Sequence, residues 1–217
     1  MIKNFIFDVD RTLIDSYNAE LETLKEALFI VTKKKYSDEI MSKLTMFTTD
    51  EFFKNLGIET DSDTMNNINY YWGNLLQKKR LQFFDGVKQL LIALKEKGFF
   101  LGIVTSRTEE ELNELDELLE NINLFDVIIT SDKVNHPKPN PESINVIINK
   151  FNLKKEETIY IGDSESDALA ARDASVYFGF ANWENKNVIS KYDYLFQEPK
   201  DINRLANLDL EKNFGMF

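Results

Sequence analysis

The stretch Phe5-Ile6-Phe7-Asp8-Val9-Asp10-Arg11-Thr12-Leu13 decides the fold. With Ile2, its first three residues make a short apolar run, which reads as a buried strand of a parallel sheet. The run ends in two carboxylates one residue apart. On an extended backbone Asp8 and Asp10 point to the same side, because strand side chains repeat every second residue. Like charges that close need a counter-charge. A divalent cation is one candidate, and hard oxygen ligands with no Cys or His nearby favour Mg²⁺ over zinc. An isolated D-x-D is also compatible with a polar strand end facing water, so the reading depends on what lies downstream.

Downstream, residues 16–77 show helical periods and no convincing strand. Leu21, Leu24, Leu28 and Val31 form one stripe; Met65, Ile68, Trp72 and Leu75 form another. Phe52, Phe53 and Leu56 make a shorter one, with Thr49 as its N-cap. These stripes read as core packing. Lys33-Lys34-Lys35 reads as a solvated loop between helices. The segment is expected to be a helical insert after the first strand.

Strands and helices alternate from Phe84 on. Val87, Leu90, Leu91 and Leu94 give a helix face that Gly98 stops. Phe99–Val104 is a strand ending in Thr105-Ser106-Arg107. Thr108 and Glu111 fit a capping box, opening an acidic helix with Leu112, Leu115 and Leu119 as its buried stripe. Phe125–Thr130 is a strand ending in Ser131-Asp132. The stiff loop His136-Pro137-Lys138-Pro139 leads to Asn140 as N-cap and Pro141 at N1 of a helix carrying Ile144, Ile147, Ile148 and Phe151. Thr158–Ile161 is a strand ending in Gly162-Asp163-Ser164-Glu165-Ser166-Asp167. A helix over Ala168–Ala174, strands over Val176–Phe178 and Tyr192–Phe196, and a last helix with Ile202, Leu205 and Leu208 complete the chain.

This alternation predicts an α/β fold with a Rossmann-like parallel sheet and helices on both faces. The expected domains are a core of residues 1–14 and 82–217 and an all-helical domain of residues 15–81. In such sheets ligands bind outside the carboxyl ends of the strands. Asp8, Asp10, Thr105, Ser106, Ser131, Asp132 and Asp163 should therefore converge on one crevice. Asp8, Asp10 and Asp163, with Asp167 one helical turn on, form a carboxylate set suited to Mg²⁺. Thr105 and Ser106 offer a hydroxyl and backbone N–H groups for phosphate oxygens, and Lys138 offers positive charge. Phosphoryl transfer needs such a set. His136, the chain's one histidine, reads as part of a structural loop before it reads as a triad member.

Composition narrows the field. A formal charge of −11 argues against a nucleic-acid surface and means that an anionic substrate needs a local positive site. With no cysteine there are no disulfides and no thiolate chemistry, which fits a cytoplasmic protein. No stretch of 18 apolar residues occurs and the N-terminus carries no signal-peptide pattern, so no membrane partner is expected. The acidic surface is read as that of a monomer.

Four stretches in order carry a resemblance. They are Asp8-Val9-Asp10-Arg11-Thr12-Leu13, Ile103-Val104-Thr105-Ser106, His136-Pro137-Lys138-Pro139 and Ile161-Gly162-Asp163-Ser164-Glu165-Ser166-Asp167. The chain resembles the haloacid-dehalogenase (HAD) superfamily of phosphatases with a helical cap, similar to phosphoglycolate phosphatases. The resemblance implies that Asp8 is the nucleophile and that Asp10 protonates the leaving oxygen and then activates water. It implies that Thr105, Lys138 and the Ser106 backbone hold the phosphoryl oxygens. Mg²⁺ would sit on Asp8, the backbone carbonyl of Asp10, and Asp163, with Asp167 in or near its outer shell. The insert would be a mobile lid hinged near Ile14-Asp15 and Leu81-Gln82, and the substrate a small phosphorylated metabolite. A β-phosphoglucomutase-like phosphomutase or a non-catalytic phosphate-binding relative would share these motifs. Many relatives carry Gly where this chain has Arg11. That residue either faces solvent, alters the turn after Asp10, or touches the substrate. Arg107 either meets a second anionic group or pairs with the acidic helix beside it.

Overall fold

A computed structural model describes residues 1–41, 49–115, 118, 120–183, 189 and 191–206. Six parallel strands form one sheet: β1 Asn4–Phe7, β2 Phe100–Val104, β3 Val127–Ile129, β4 Thr158–Gly162, β5 Tyr177–Ala181 and β6 Tyr194–Phe196, in the order β3-β2-β1-β4-β5-β6. Phe7 lies beside Ile103 on one flank and Ile161 on the other. The strand order reverses between β1 and β4, where doubly wound sheets open their ligand crevice. Asp8 follows the last residue of β1 and Asp163 the last residue of β4, so the two acids flank that point.

Alternation along the strands divides the core between two faces. Ile6, Val104, Ile129, Tyr160, Phe178 and Phe180 are buried together with Ile144, Ile147 and Ile148 of helix Glu142–Phe151 and with Ala168, Ala170, Ala171 and Ala174 of helix Glu165–Ala174. Phe5, Phe7, Leu101, Ile103, Ile159 and Ile161 are buried as well and alternate with that set, so they line the opposite face. Val87, Leu90, Leu91 and Leu94 are the buried side of helix Val87–Glu96, which packs on β2. Gly98, at φ 78°, stops this helix in the left-handed conformation as its position predicts.

The chain forms two compact units. One contains Met1–Asp15 and, from Gln82 on, the sheet and its helices; the other is the described part of Ser16–Leu81. The second unit is helical: α1 Tyr17–Thr32, α2 Asp38–Met41, α3 Thr49–Asn55 and α4 Ser62–Leu76. Leu24, Leu28, Met41, Phe52, Phe53, Ile58 and Ile68 form its own buried cluster, with Leu21, Val31, Leu56, Met65 and Trp72 against it. α1 packs on α4, and Asp61 caps α4 by accepting the N–H groups of Asp63 and Thr64 at 3.1 and 2.9 Å. The side chain of Thr49, the expected cap of α3, lies outside the described residues, as do Leu119 and Leu208. No helix among the described residues is long and apolar enough to cross a membrane.

Several boundaries differ from the sequence reading. β5 runs on to Ala181, and β6 begins at Tyr194, two residues late. The acidic helix is one turn, Glu109–Leu112, although its Thr108/Glu111 capping box is formed. The helix expected to start at Pro141 starts at Glu142; Asn140 still accepts the Glu142 N–H at 3.0 Å. Differences of a residue or two are usual where end turns fray, while β5 and the acidic helix depart by more.

Candidate active site

The backbone after β1 builds the first part of the site. The N–H groups of Leu13 and Ile14 both donate to the Val9 carbonyl, at 2.8 and 2.9 Å, and the Arg11 N–H donates to the Ile14 carbonyl at 2.8 Å. This closes a tight loop over residues 9–14. Trp183 Nε1 donates to the Thr12 carbonyl at 2.9 Å and ties the loop down. Asp8 is buried, its N–H bonded to the Ile161 carbonyl at 2.8 Å.

Lys138 is the hub. Its Nζ donates to Asp8 Oδ1 at 2.6 Å, to Asp167 Oδ1 at 2.7 Å and to the Tyr160 hydroxyl at 3.0 Å. Only 4% of its side chain is exposed, so the two carboxylates are what keep its charge tolerable. The Lys138–Pro139 peptide bond is cis. Burial alone would favour the neutral amine, yet Asp167 and Asp8 hold the ammonium above its ordinary pKa. Burial pushes the Asp8 carboxyl well above its usual range, against the pull of Lys138 and with the help of Asp167, Asp163 and Asp10. Burial would raise Asp167 too, but Lys138, Ser164 and Tyr160 bring it below the usual value.

Asp167 is locked from both sides. Its Oδ2 accepts the Ser164 N–H at 3.0 Å and the Ser164 hydroxyl at 2.5 Å, and Ser164 in turn caps the helix by accepting the Asp167 N–H. A Cβ on Gly162 would stand 2.5 Å from Asp167 Cγ, so only glycine lets this carboxylate fold back over β4. Asp167, expected near a metal, therefore spends its oxygens on Lys138, Tyr160 and Ser164.

Asp8, Asp163 and Asp167 each offer an oxygen within 4.8 Å of the others, and all three are buried. The donors are hard carboxylate oxygens, the type that divalent cations such as Mg²⁺ prefer. Asp10 is half-buried, and Arg107 Nε and Nη2 donate to its two oxygens at 2.7 Å each. Arg107 thus reaches past the acidic helix beside it to a neighbour 97 positions away. Thr105 is buried and its hydroxyl oxygen accepts the Arg107 N–H at 3.1 Å, which leaves the hydroxyl proton to donate; Ser106 next to it is exposed.

Arg11 does not simply face solvent. Its φ is 57°, its side chain is 24% exposed, and its Nε lies 3.3 Å from Asp163 Oδ2. Ser131 and Asp132 do not share the carboxylate cluster. The Ser131 N–H donates to the Arg107 carbonyl at 2.9 Å, while exposed Asp132 accepts from Thr130 Oγ1 at 2.5 Å and the Glu109 N–H at 3.2 Å. His136 pairs with Glu142 at 2.9 Å and is exposed, a structural role. Tyr160 is the residue the sequence reading missed. It looks like one more apolar strand position, and its polar tip shows only when its hydroxyl is seen beneath Lys138, bonded also to the Val104 carbonyl at 3.0 Å.

The chain also has relatives among known proteins. A pyrophosphatase, PpaX, from Halalkalibacterium halodurans is 29% identical over 175 residues, covering 81% of each chain. A phosphoglycolate phosphatase from Mannheimia succiniciproducens is 24% identical over 218 residues, covering 92% of this chain and 96% of its own. A solved structure from Lactobacillus plantarum, proposed to be a phosphoglycolate phosphatase, superposes with a TM-score of 0.82 at 24% identity, covering 94% of this chain and 99% of that one. The family model of haloacid dehalogenase-like hydrolases matches residues 5–181, and the chain belongs to that family.

Proposed function

We propose that this protein is a Mg²⁺-dependent phosphatase of a small phosphorylated metabolite that works through an aspartyl-phosphate on Asp8. The observation that carries this reading is the Lys138 ammonium 2.6 Å from Asp8, within a cluster of buried carboxylates at the switch point of the sheet. A buried carboxylate oriented by a lysine is suited to attack an electrophile whose oxygens need a cation.

Asp8 attacks phosphorus, and the bond to the leaving oxygen breaks as Asp10 gives that oxygen a proton. Asp10 then takes a proton from a water that attacks the phosphorus, which frees phosphate and restores Asp8. Lys138, the Thr105 hydroxyl and the Ser106 N–H hold the phosphoryl oxygens throughout. Asp8, Asp163 and the carbonyl of Asp10 would hold Mg²⁺. When bound, the ion offsets negative charge between carboxylate and phosphoryl oxygens. Asp167 acts by fixing Lys138. The helical insert serves as a cap that reads the substrate and excludes water. The names of the relatives make phosphoglycolate and pyrophosphate the first compounds to try. The lack of cysteine fits a cytoplasmic protein, and the acidic surface is read as that of a monomer.

The test is phosphate release from a panel of small phosphomonoesters and pyrophosphate, with Mg²⁺ and with chelator, for the wild type and Asp8→Asn. The expected result is turnover that needs both Mg²⁺ and Asp8. Turnover that survives Asp8→Asn sinks the aspartyl-phosphate. Conversion of a sugar phosphate without phosphate release, after a lag that a bisphosphate relieves, replaces the phosphatase with a mutase.

A further inference from the structure

The structure assigns a role to Arg11 that its position in the loop alone does not reveal. We infer that the Arg11 guanidinium competes with the divalent cation for Asp163, and so sets the cation concentration at which the site loads. The inference rests on the proposed metal site at Asp8 and Asp163.

Two observations converge. The first is the backbone. At φ 57° residue 11 is left-handed, a conformation in which an L side chain crowds its own carbonyl and which glycine adopts freely. Strain of this kind persists where surrounding structure holds it, and it concentrates at functional sites. Here the 9–14 loop holds it through the Arg11 N–H on the Ile14 carbonyl and three N–H groups on the Val9 carbonyl. The fixed backbone fixes the Cα–Cβ direction, so the side chain leaves the loop on a set course.

The second observation is where that course ends. Arg11 Nε lies 3.3 Å from Asp163 Oδ2, and Asp163 is 3% exposed. Lys138 bonds Asp8 and Asp167. Arg11 brings a positive charge to the third carboxylate of the cluster. At that distance the two groups interact by charge, and a cation on Asp163 would bring a second positive charge to the same carboxylate. Two positive charges on one buried carboxylate repel strongly, since screening by water is weak there. A cation that binds Asp163 must therefore turn Arg11 away. The part of its binding free energy used for that displacement appears as weaker affinity, as in any two-state competition.

Binding of Mn²⁺ alone to the full chain tests this, read by electron paramagnetic resonance of the free ion and by calorimetry. Arg11→Gly removes the guanidinium and suits the left-handed backbone; it should bind Mn²⁺ about 10-fold more tightly than the wild type. Arg11→Lys keeps a positive charge and should stay within about 3-fold of the wild type. Asp163→Asn in the Arg11→Gly background should abolish the gain. Equal or weaker binding by Arg11→Gly overturns the inference while leaving the metal-dependent reading intact. Equal tightening by Arg11→Lys overturns it as well, because lysine keeps the positive charge, so that charge would not be what holds the cation off. If neither wild type nor Arg11→Gly binds Mn²⁺, both this inference and the metal-dependent phosphatase reading fall.

Discussion

Asp10 and Arg107 are joined by two parallel bonds, Nε to Oδ2 and Nη2 to Oδ1, each 2.7 Å. The side chains are 24% and 13% exposed, so the pair is partly shielded from water. A bidentate fork fixes the plane of a carboxylate as well as its position. Asp10 is proposed to give a proton and then take one; one arm of the fork must part when Asp10 carries its proton, while the other keeps its plane. Arg107→Ala should lower kcat by about 10- to 100-fold, the scale of a misplaced reacting group, with KM changed only a few-fold. Arg107→Lys should rescue little, because an ammonium is a point charge. Steady-state kinetics decide between two roles: a rise in KM with kcat intact would make Arg107 a substrate-binding residue.

The Tyr160 hydroxyl accepts from Lys138 and lies within bonding distance of both Asp167 and the Val104 carbonyl. Burial pushes its pKa well above the ordinary tyrosine value, so it stays a neutral donor. Tyr160→Phe leaves the ring in the core and removes one oxygen. The buried Val104 carbonyl and the Lys138 ammonium each lose a neighbour. The expected cost is about 1–3 kcal/mol of stability in urea unfolding. A several-fold loss of kcat should accompany it as Lys138 gains freedom. Unchanged stability would mean that a water replaces the hydroxyl at no cost.

How much of this was legible in the sequence follows from the kind of signal each residue sends. Asp8 and Asp163 stand just past strand ends, and topology alone directs them to one crevice, with Asp167 one helical turn on from Asp163; Lys138 sends a weaker signal, a cation in a stiff proline loop that the family resemblance assigns to the site. Their convergence is seen in the structure. Residues whose role depends on a side-chain direction were not legible. Arg107 and Arg11 each had several partners within reach, and only the loop conformations decide among them. Asp132 was misread because a strand-end acid points to the crevice only if no local donor claims it; Thr130 and the Glu109 N–H do. Tyr160 was silent because strand periodicity registers a buried ring and not its hydroxyl.

Gly162 carries a steric prediction. A Cβ there would stand within 2.5–2.7 Å of three Asp167 side-chain atoms. Those atoms cannot retreat cheaply, since Ser164, Tyr160 and Lys138 all hold them. Gly162→Ala should cost about 1–3 kcal/mol, the range for overpacking, and should cut activity more than the stability loss explains. Urea unfolding and phosphate release at saturating Mg²⁺ measure the two separately. Full activity in a folded variant would show that Asp167 is dispensable for placing Lys138.

Acid should weaken the fold through carboxylates outside the Asp8–Asp163–Asp167 cluster. The Thr130 hydroxyl holds Asp132 below the usual carboxylate range, and the Asn135 N–H, with His136, does the same for Glu142. Hydrogen bonds from Thr64 lower Asp61, and Lys3 lowers Glu157. Each group has a lower pKa folded than unfolded. Between those two values the unfolded chain binds more protons, so stability rises with pH. Their stabilising contribution is complete above the ordinary carboxylate pKa of about 4 to 4.5 and fades as pH falls through the depressed folded values. Thermal unfolding from pH 7 to pH 3 should therefore show a Tm that declines below about pH 5. The double variant Asp132→Asn, Glu142→Gln keeps hydrogen-bond acceptors but cannot titrate, and its Tm should fall less steeply. An identical slope in the variant would assign the acid sensitivity to other carboxylates.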